Sequence, residues 1–182
     1  MITPSISLLE VQARWGYSEI TDSVASVNYR GSAIEALRTK RKAHVPFDTL
    51  SDAERYDLAF SSACARPILL VYLTAVVTYR IRPLDRNGLG RALVAPNVWY
   101  PESSGRFVSF ADYMKTTSGE PRDARNVQEP THEYRPPSDP LTFGRSFGHA
   151  ILVDGYHRAA SFWLYGPTDG VLEAYVPYPL VL

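Results

Sequence analysis

Ala150-Ile-Leu-Val-Asp-Gly-Tyr-His-Arg-Ala-Ala-Ser-Phe-Trp-Leu164 is the stretch on which the fold turns: an apolar run breaks into Asp154-Gly155-Tyr156-His157-Arg158 and then resumes with helical spacing. A strand hands over to a helix through a polar turn. The positive end of the helix dipole and the N–H groups of the first turn make such a place a ready anion cradle. His157 and Arg158 stand where their side chains would add charge to it.

Working outward, Leu141-Thr-Phe-Gly leads into a turn at Ser146-Phe-Gly148, His149–Val153 reads as a strand, Arg158–Tyr165 as a helix and Val171–Val176 as a last strand. Strand, turn, strand, polar turn, helix and strand make a compact layout of helices on a sheet. Upstream, Thr49-Leu-Ser-Asp-Ala-Glu54 offers a capping box that predicts a helix from about Asp52 to Ala63, ended by Arg66-Pro67. Residues from Ser32 to before Pro46 predict an amphipathic helix with a basic end, whose cations suit the helix C-terminus. Ile6–Trp15 reads as a short strand or a helical turn, and Ile68–Ile81 as one long strand or two consecutive ones.

Between Arg82 and Asp139 recurrent prolines and glycines predict an irregular insertion, at about 83–139, with a short helix at Phe107–Met114. Its aromatics, among them Trp99, Phe110 and Tyr113, argue that part of it packs. Arg80, Arg82, Arg86 and Arg91 flank Asn87-Gly88, which reads as a β-hairpin turn with charged faces.

Length and composition bound the remainder. A chain of 182 residues with 45% hydrophobic and 21% charged residues is expected to form a single domain, 1–182, with a sizeable core. The formal net charge of zero gives no global pull toward nucleic acid, so any polyanion site must be local. Sixteen arginines against three lysines suit planar recognition of phosphate, although coding bias would give the same count. One cysteine, Cys64, excludes an internal disulfide and reads as a small buried helical residue. The N-terminus has neither the basic nor the apolar region of a secretory signal, and the apolar run Pro67–Val77 is well short of the roughly 20 residues that cross a bilayer. The expectation is a cytoplasmic protein without a membrane partner.

Ile151-Leu-Val-Asp-Gly-Tyr-His-Arg-Ala-Ala-Ser161, followed by a short helix and Leu172-Glu-Ala-Tyr-Val-Pro177, resembles the nucleotide-binding core shared by the ParB N-terminal domain and sulfiredoxin. The resemblance covers about forty residues, with Arg66-Pro-Ile-Leu-Leu-Val71 as a candidate earlier strand. It implies an α+β fold, a ParB/sulfiredoxin-like mixed sheet with flanking helices, here carrying the long Pro-rich insertion. It further implies that Gly155, Tyr156, His157 and Arg158 hold nucleotide phosphates, where glycine permits close approach and arginine binds in parallel charge-assisted bonds. Asp154 would hold a Mg²⁺ ion beside those phosphates. As a turn-forming or capping residue, the same aspartate needs no metal.

Two departures narrow the family. Sulfiredoxins carry a reactive cysteine where this chain has Tyr156, and a phenol cannot replace a thiolate in sulfinate repair. Chromosome-partition proteins continue into a helix-turn-helix domain, whereas the residues after Arg158 read as a helix and a strand. What remains is similar to the free serine kinases of this fold. That similarity implies a phosphotransferase moving a phosphoryl group from ATP or another nucleoside phosphate to a small hydroxyl substrate, with Asp154, His157 and a carboxylate such as Glu10 in catalytic roles.

Two other classes compete with that reading. The basic Arg38–Lys42 run, together with the nuclease label some members of this fold carry, suggests a nucleic-acid-binding or nuclease module, ranked behind the nucleotide. A non-catalytic nucleotide-binding regulatory domain is the third. Glu129-Pro-Thr-His132-Glu133 gathers possible metal ligands, but its spacing matches no strong pattern and reads first as a solvated loop.

Overall fold

The computed structural model describes residues 5–20, 32–65, 72–73, 78–95, 106–116, 139–146 and 148–179. The chain, expected to form one domain, divides into two compact units, Ser5–Tyr79 and Arg80–Leu182. The first is mainly helical and the second is built on a sheet.

In the helical unit, α1 (Leu8–Glu19) starts where the Ser7 hydroxyl accepts a hydrogen bond from the Glu10 N–H at 3.1 Å. That cap decides between the two readings of Ile6–Trp15 in favour of a helix. Helix α2 (Ser32–Lys42) ends as its basic last turn predicts. His44 then takes φ +55°, its N–H bonding to Arg41 O at 3.0 Å while the Val45 N–H reaches Lys40 O at 3.0 Å. This pair of bonds is a Schellman motif with histidine where glycine is usual. Helix α3 (Asp52–Ala65) begins at the expected capping box: the Ser51 N–H donates to Glu54 Oε2 at 3.0 Å and the Glu54 N–H to Ser51 Oγ at 3.3 Å. Ala13, Tyr17, Ile20, Ile34, Leu37, Leu50 and Leu58 form the core of this unit. Helix α1 approaches α3 at Gly16, where a Cβ would lie 2.9 Å from Leu58 O.

Among the described residues the sheet has six strands: β1 (Thr78–Asp85), β2 (Leu93–Val94), β3 (Val108–Ser109), β4 (Leu141–Ser146), β5 (His149–Asp154) and β6 (Val171–Tyr178). Their order is β1-β6-β4-β5-β2-β3. The fold is α+β with a mixed sheet: β4 runs antiparallel to β5 (Phe143 opposite Leu152) and parallel to β6 (Leu141 opposite Ala174), while β2 runs parallel to β5 and antiparallel to β3. The hairpin between β4 and β5 turns at Gly148, φ +81°. Buried runs at Leu141–Gly144 and Ala150–Val153 fit central strands covered on both faces.

Among the described residues, three helices complete this unit: α4 (Arg86–Arg91), α5 (Phe110–Thr116) and α6 (Tyr156–Tyr165). Helix α6 carries the chain from β5 to β6, and Ala159 and Ala160, both fully buried, let it lie close to its neighbours. Leu89, Val94, Phe110, Phe143, Leu152 and Phe162 are among the residues of a continuous core. The ring of Trp163 meets Phe110 edge-on at 5.8 Å between centroids.

Two expectations need correction. The stretch around Asn87-Gly88 is not a hairpin turn but helix α4, because the Asp85 carboxylate accepts the Gly88 N–H at 2.7 Å and caps a helix there. Nor is 83–139 irregular throughout. Residues 83–95 and 106–116 supply the end of β1, α4, β2, β3 and α5, and bury Leu84, Leu89, Phe110 and Tyr113, since apolar side chains on these short elements reach the sheet core. The expected helix at Phe107–Met114 resolves into β3 followed by α5. Residues 96–105 and 117–138, including Glu129, His132 and Glu133, lie outside the described residues, as do 66–71 and 74–77 of the long apolar run.

Candidate anion-binding turn

Gly155 joins β5 to α6 at φ +95°, a left-handed conformation that glycine takes without a steric penalty. A Cβ there would lie 2.5 Å from Leu141 Cδ2 and 3.1 Å from a guanidinium nitrogen of Arg158. The fold therefore requires this glycine whether or not a ligand approaches it. The helix starts two residues earlier than the sequence pattern suggests, at Tyr156, with Gly155 as its N-cap residue. Its first intrahelical bond runs from the Ala159 N–H to Gly155 O at 2.8 Å. A strand, a left-handed glycine and a ten-residue helix follow one another here, an order that turns the first N–H groups of a helix outward.

The side chains of the turn divide into three kinds. Arg158 donates to Asp154 Oδ2 at 2.6 Å and, through its other terminal nitrogen, to the carbonyls of Asp139 at 2.6 Å and Pro140 at 3.2 Å. Its expected phosphate contacts compete with these bonds, which tie the start of α6 to the entry of β4. Tyr156 turns inward, 3% exposed, and donates its hydroxyl to Leu152 O at 2.8 Å, so only its backbone can face an anion. His157 is exposed and carries the imidazole of the turn to the surface.

The chain matches no known family model, no curated protein and no solved structure.

As a metal site the turn offers one carboxylate, Asp154, already neutralised by Arg158. Among the described residues there is no group of three or more His, Cys, Asp or Glu placed to hold an ion. Such a donor set fits only the mode in which Mg²⁺ keeps waters and takes its remaining oxygens from substrate phosphates. Glu10, the expected base, belongs to the helical unit. There Arg14 donates to it at 3.0 Å from Nε, and Arg55 stands 3.5 Å away. The Phe47 ring lies under both guanidinium groups, at 4.3 and 5.2 Å from its centroid.

The basic run of α2 is engaged in the same manner. Arg38 pairs with Glu35, Arg41 lies 5.3 Å from the Tyr17 ring centroid, and Lys40 bonds Glu54 Oε1 at 2.6 Å. The Lys40 hydrogen bond, assisted by the Ser51 backbone, holds the Glu54 carboxyl below its ordinary range. Burial pushes the Tyr17 phenol up despite the nearby cations. These contacts give the charge run a structural role. Among the described residues, no helix is long and apolar enough to cross a membrane.

Sequence reasoning missed one organising residue. Arg86 donates to the carbonyls of Trp163 at 2.8 Å, Phe162 at 3.3 Å and Gly166 at 2.7 Å, closing the C-terminal end of α6. The signal was Asp85 immediately before it, a helix N-cap obscured by the turn-like Asn-Gly pair.

Proposed function

We propose that this chain binds a nucleoside phosphate at the Gly155–Arg158 turn and transfers a phosphoryl group from it to a small hydroxyl substrate. The observation that carries the reading is the start of α6 directly after a strand and a left-handed glycine. Backbone N–H groups and the helix dipole would face the phosphates, with the His157 side chain adding a donor at the rim. Arg158 enters as a positioning residue: it holds Asp154 in place, and Asp154 would take a Mg²⁺ ion that arrives with the nucleotide. The metal would neutralise phosphate charge. Positioning and charge neutralisation are most of what phosphoryl transfer demands of a protein. Glu10, held by two arginines, serves on this reading as a structural anion.

Calorimetry with ATP, ADP and CTP in the presence of Mg²⁺, on the full chain and on His157→Ala, tests the binding step. Saturable binding to one of them, weakened in the variant, supports the reading. Absence of binding to all three overturns it. Mass spectrometry of reactions containing γ-labelled nucleotide and a panel of small alcohols then tests the transfer.

A further inference from the structure

A recess lies elsewhere in the sheet unit, with a volume of about 540 Å³, where the end of β1, helix α4 and β6 meet. That is within the usual size of small-ligand sites, roughly 300–1,000 Å³. Leu84 and Val176 supply an apolar floor, both nearly fully buried, and Tyr178 supplies an aromatic wall. The Arg80 guanidinium, 3.7 Å from the Tyr178 ring centroid, stacks over that wall and fixes it.

The charges of the recess are unequal. Arg82 and Arg91 line it, are exposed, and make no ion pair among the described residues. Asp85 is the acidic group of the lining, and its carboxylate is committed to the Gly88 N–H at the start of α4. Two cations against one carboxylate leave a single positive charge beside an apolar floor. A guanidinium pairs best with a planar carboxylate through parallel hydrogen bonds. Polyphosphates suit the place poorly, because Asp85 would repel a second and third negative charge.

We infer that this recess is a binding site for a small organic monoacid, its carboxylate held by Arg82 and Arg91 and its apolar body laid against Leu84, Val176 and Tyr178. The inference is independent of the phosphate reading of the Gly155 turn.

The test is an NMR titration of the ¹⁵N-labelled full chain with 4-phenylbutyrate, the neutral 4-phenylbutanol and ATP in parallel. The acid is expected to shift the backbone resonances of Leu84, Val176 and Tyr178 in a saturable manner, and to bind about tenfold more tightly than the alcohol, as expected for a charged hydrogen bond. Arg82→Gln and Arg91→Gln should each weaken the acid and leave the alcohol unchanged. Equal affinity for acid and alcohol, no binding of the acid, or shifts confined to the Gly155 turn would overturn the proposal. The acid-to-alcohol comparison uses the unmodified chain, so it stands even if a variant folds poorly. ATP shifts at the Gly155 turn report separately on the phosphate reading.

Discussion

Arg158 and Asp154 face each other across the junction of β5 and α6, joined at 2.6 Å, with the two side chains 22% and 18% exposed. The same guanidinium holds the carbonyls of Asp139 and Pro140, nineteen and eighteen residues earlier in the chain. One side chain thereby secures the helix start, the strand end and the entry to β4.

Arg158→Ala is expected to destabilise the protein by about 2 kcal/mol, since hydrogen bonds to a charged partner are worth roughly 1.5–3 kcal/mol and two carbonyls lose their donor as well. Arg158→Lys should recover less than half of this, because an ammonium cannot reproduce the planar fork. Urea denaturation measures both. A loss in Arg158→Ala below about 0.5 kcal/mol, the range of surface substitutions, would contradict this structural role.

Arg86 performs the corresponding task at the other end of α6. Arg86→Ala leaves the carbonyls of Phe162, Trp163 and Gly166 without this donor, and a cost of about 2 kcal/mol is expected. Amide exchange should report faster opening in the last turn of α6 than in β4, because the lost bonds are local to that turn. Uniform acceleration across the sheet would contradict the assignment.

His44 occupies a left-handed position at φ +55°, one that charges every residue with a Cβ for its conformation. His44→Gly removes that strain while loosening the unfolded chain. The balance should stabilise the protein by about 0.5–1 kcal/mol, read as a rise in Tm. A fall in Tm would show that the imidazole makes a contact worth more than the strain.

Glu54 links the α3 cap to Lys40, and its carboxyl titrates below the ordinary value of 4.5. A depressed native pKa means that the unfolded chain takes up the proton first. Its stabilisation is therefore complete above the ordinary carboxylate range and is lost as pH falls through the native pKa. Glu54→Gln should reduce stability at pH 7 by about 1 kcal/mol, as typical for a cap and a largely solvated ion pair, and by less at pH 3. Chemical denaturation at the two pH values checks the convergence.

The sequence by itself determined what local chemistry specifies. The capping box at Ser51–Glu54 placed α3, the basic end of Ser32–Lys42 placed α2, and apolar runs bounded by Gly148 and Gly155 placed β4, β5 and the turn to α6. These signals act within a few residues, through hydrogen bonds and backbone conformation, and remain readable in one dimension. The tertiary structure alone decided the partners of the charged side chains. Arg158, read as a phosphate ligand, is bonded to Asp154 and two carbonyls; Arg86, read as part of a hairpin, closes a helix about eighty residues away. It also drew α4 and two short strands out of a proline-rich stretch in which the sequence had marked only the helix that became α5, because burying Leu89, Phe110 and Tyr113 against the sheet outweighs the propensity of short segments for irregular backbone. A guanidinium has five donors and a long stem, and sequence spacing cannot say which acceptors the fold will bring within its reach.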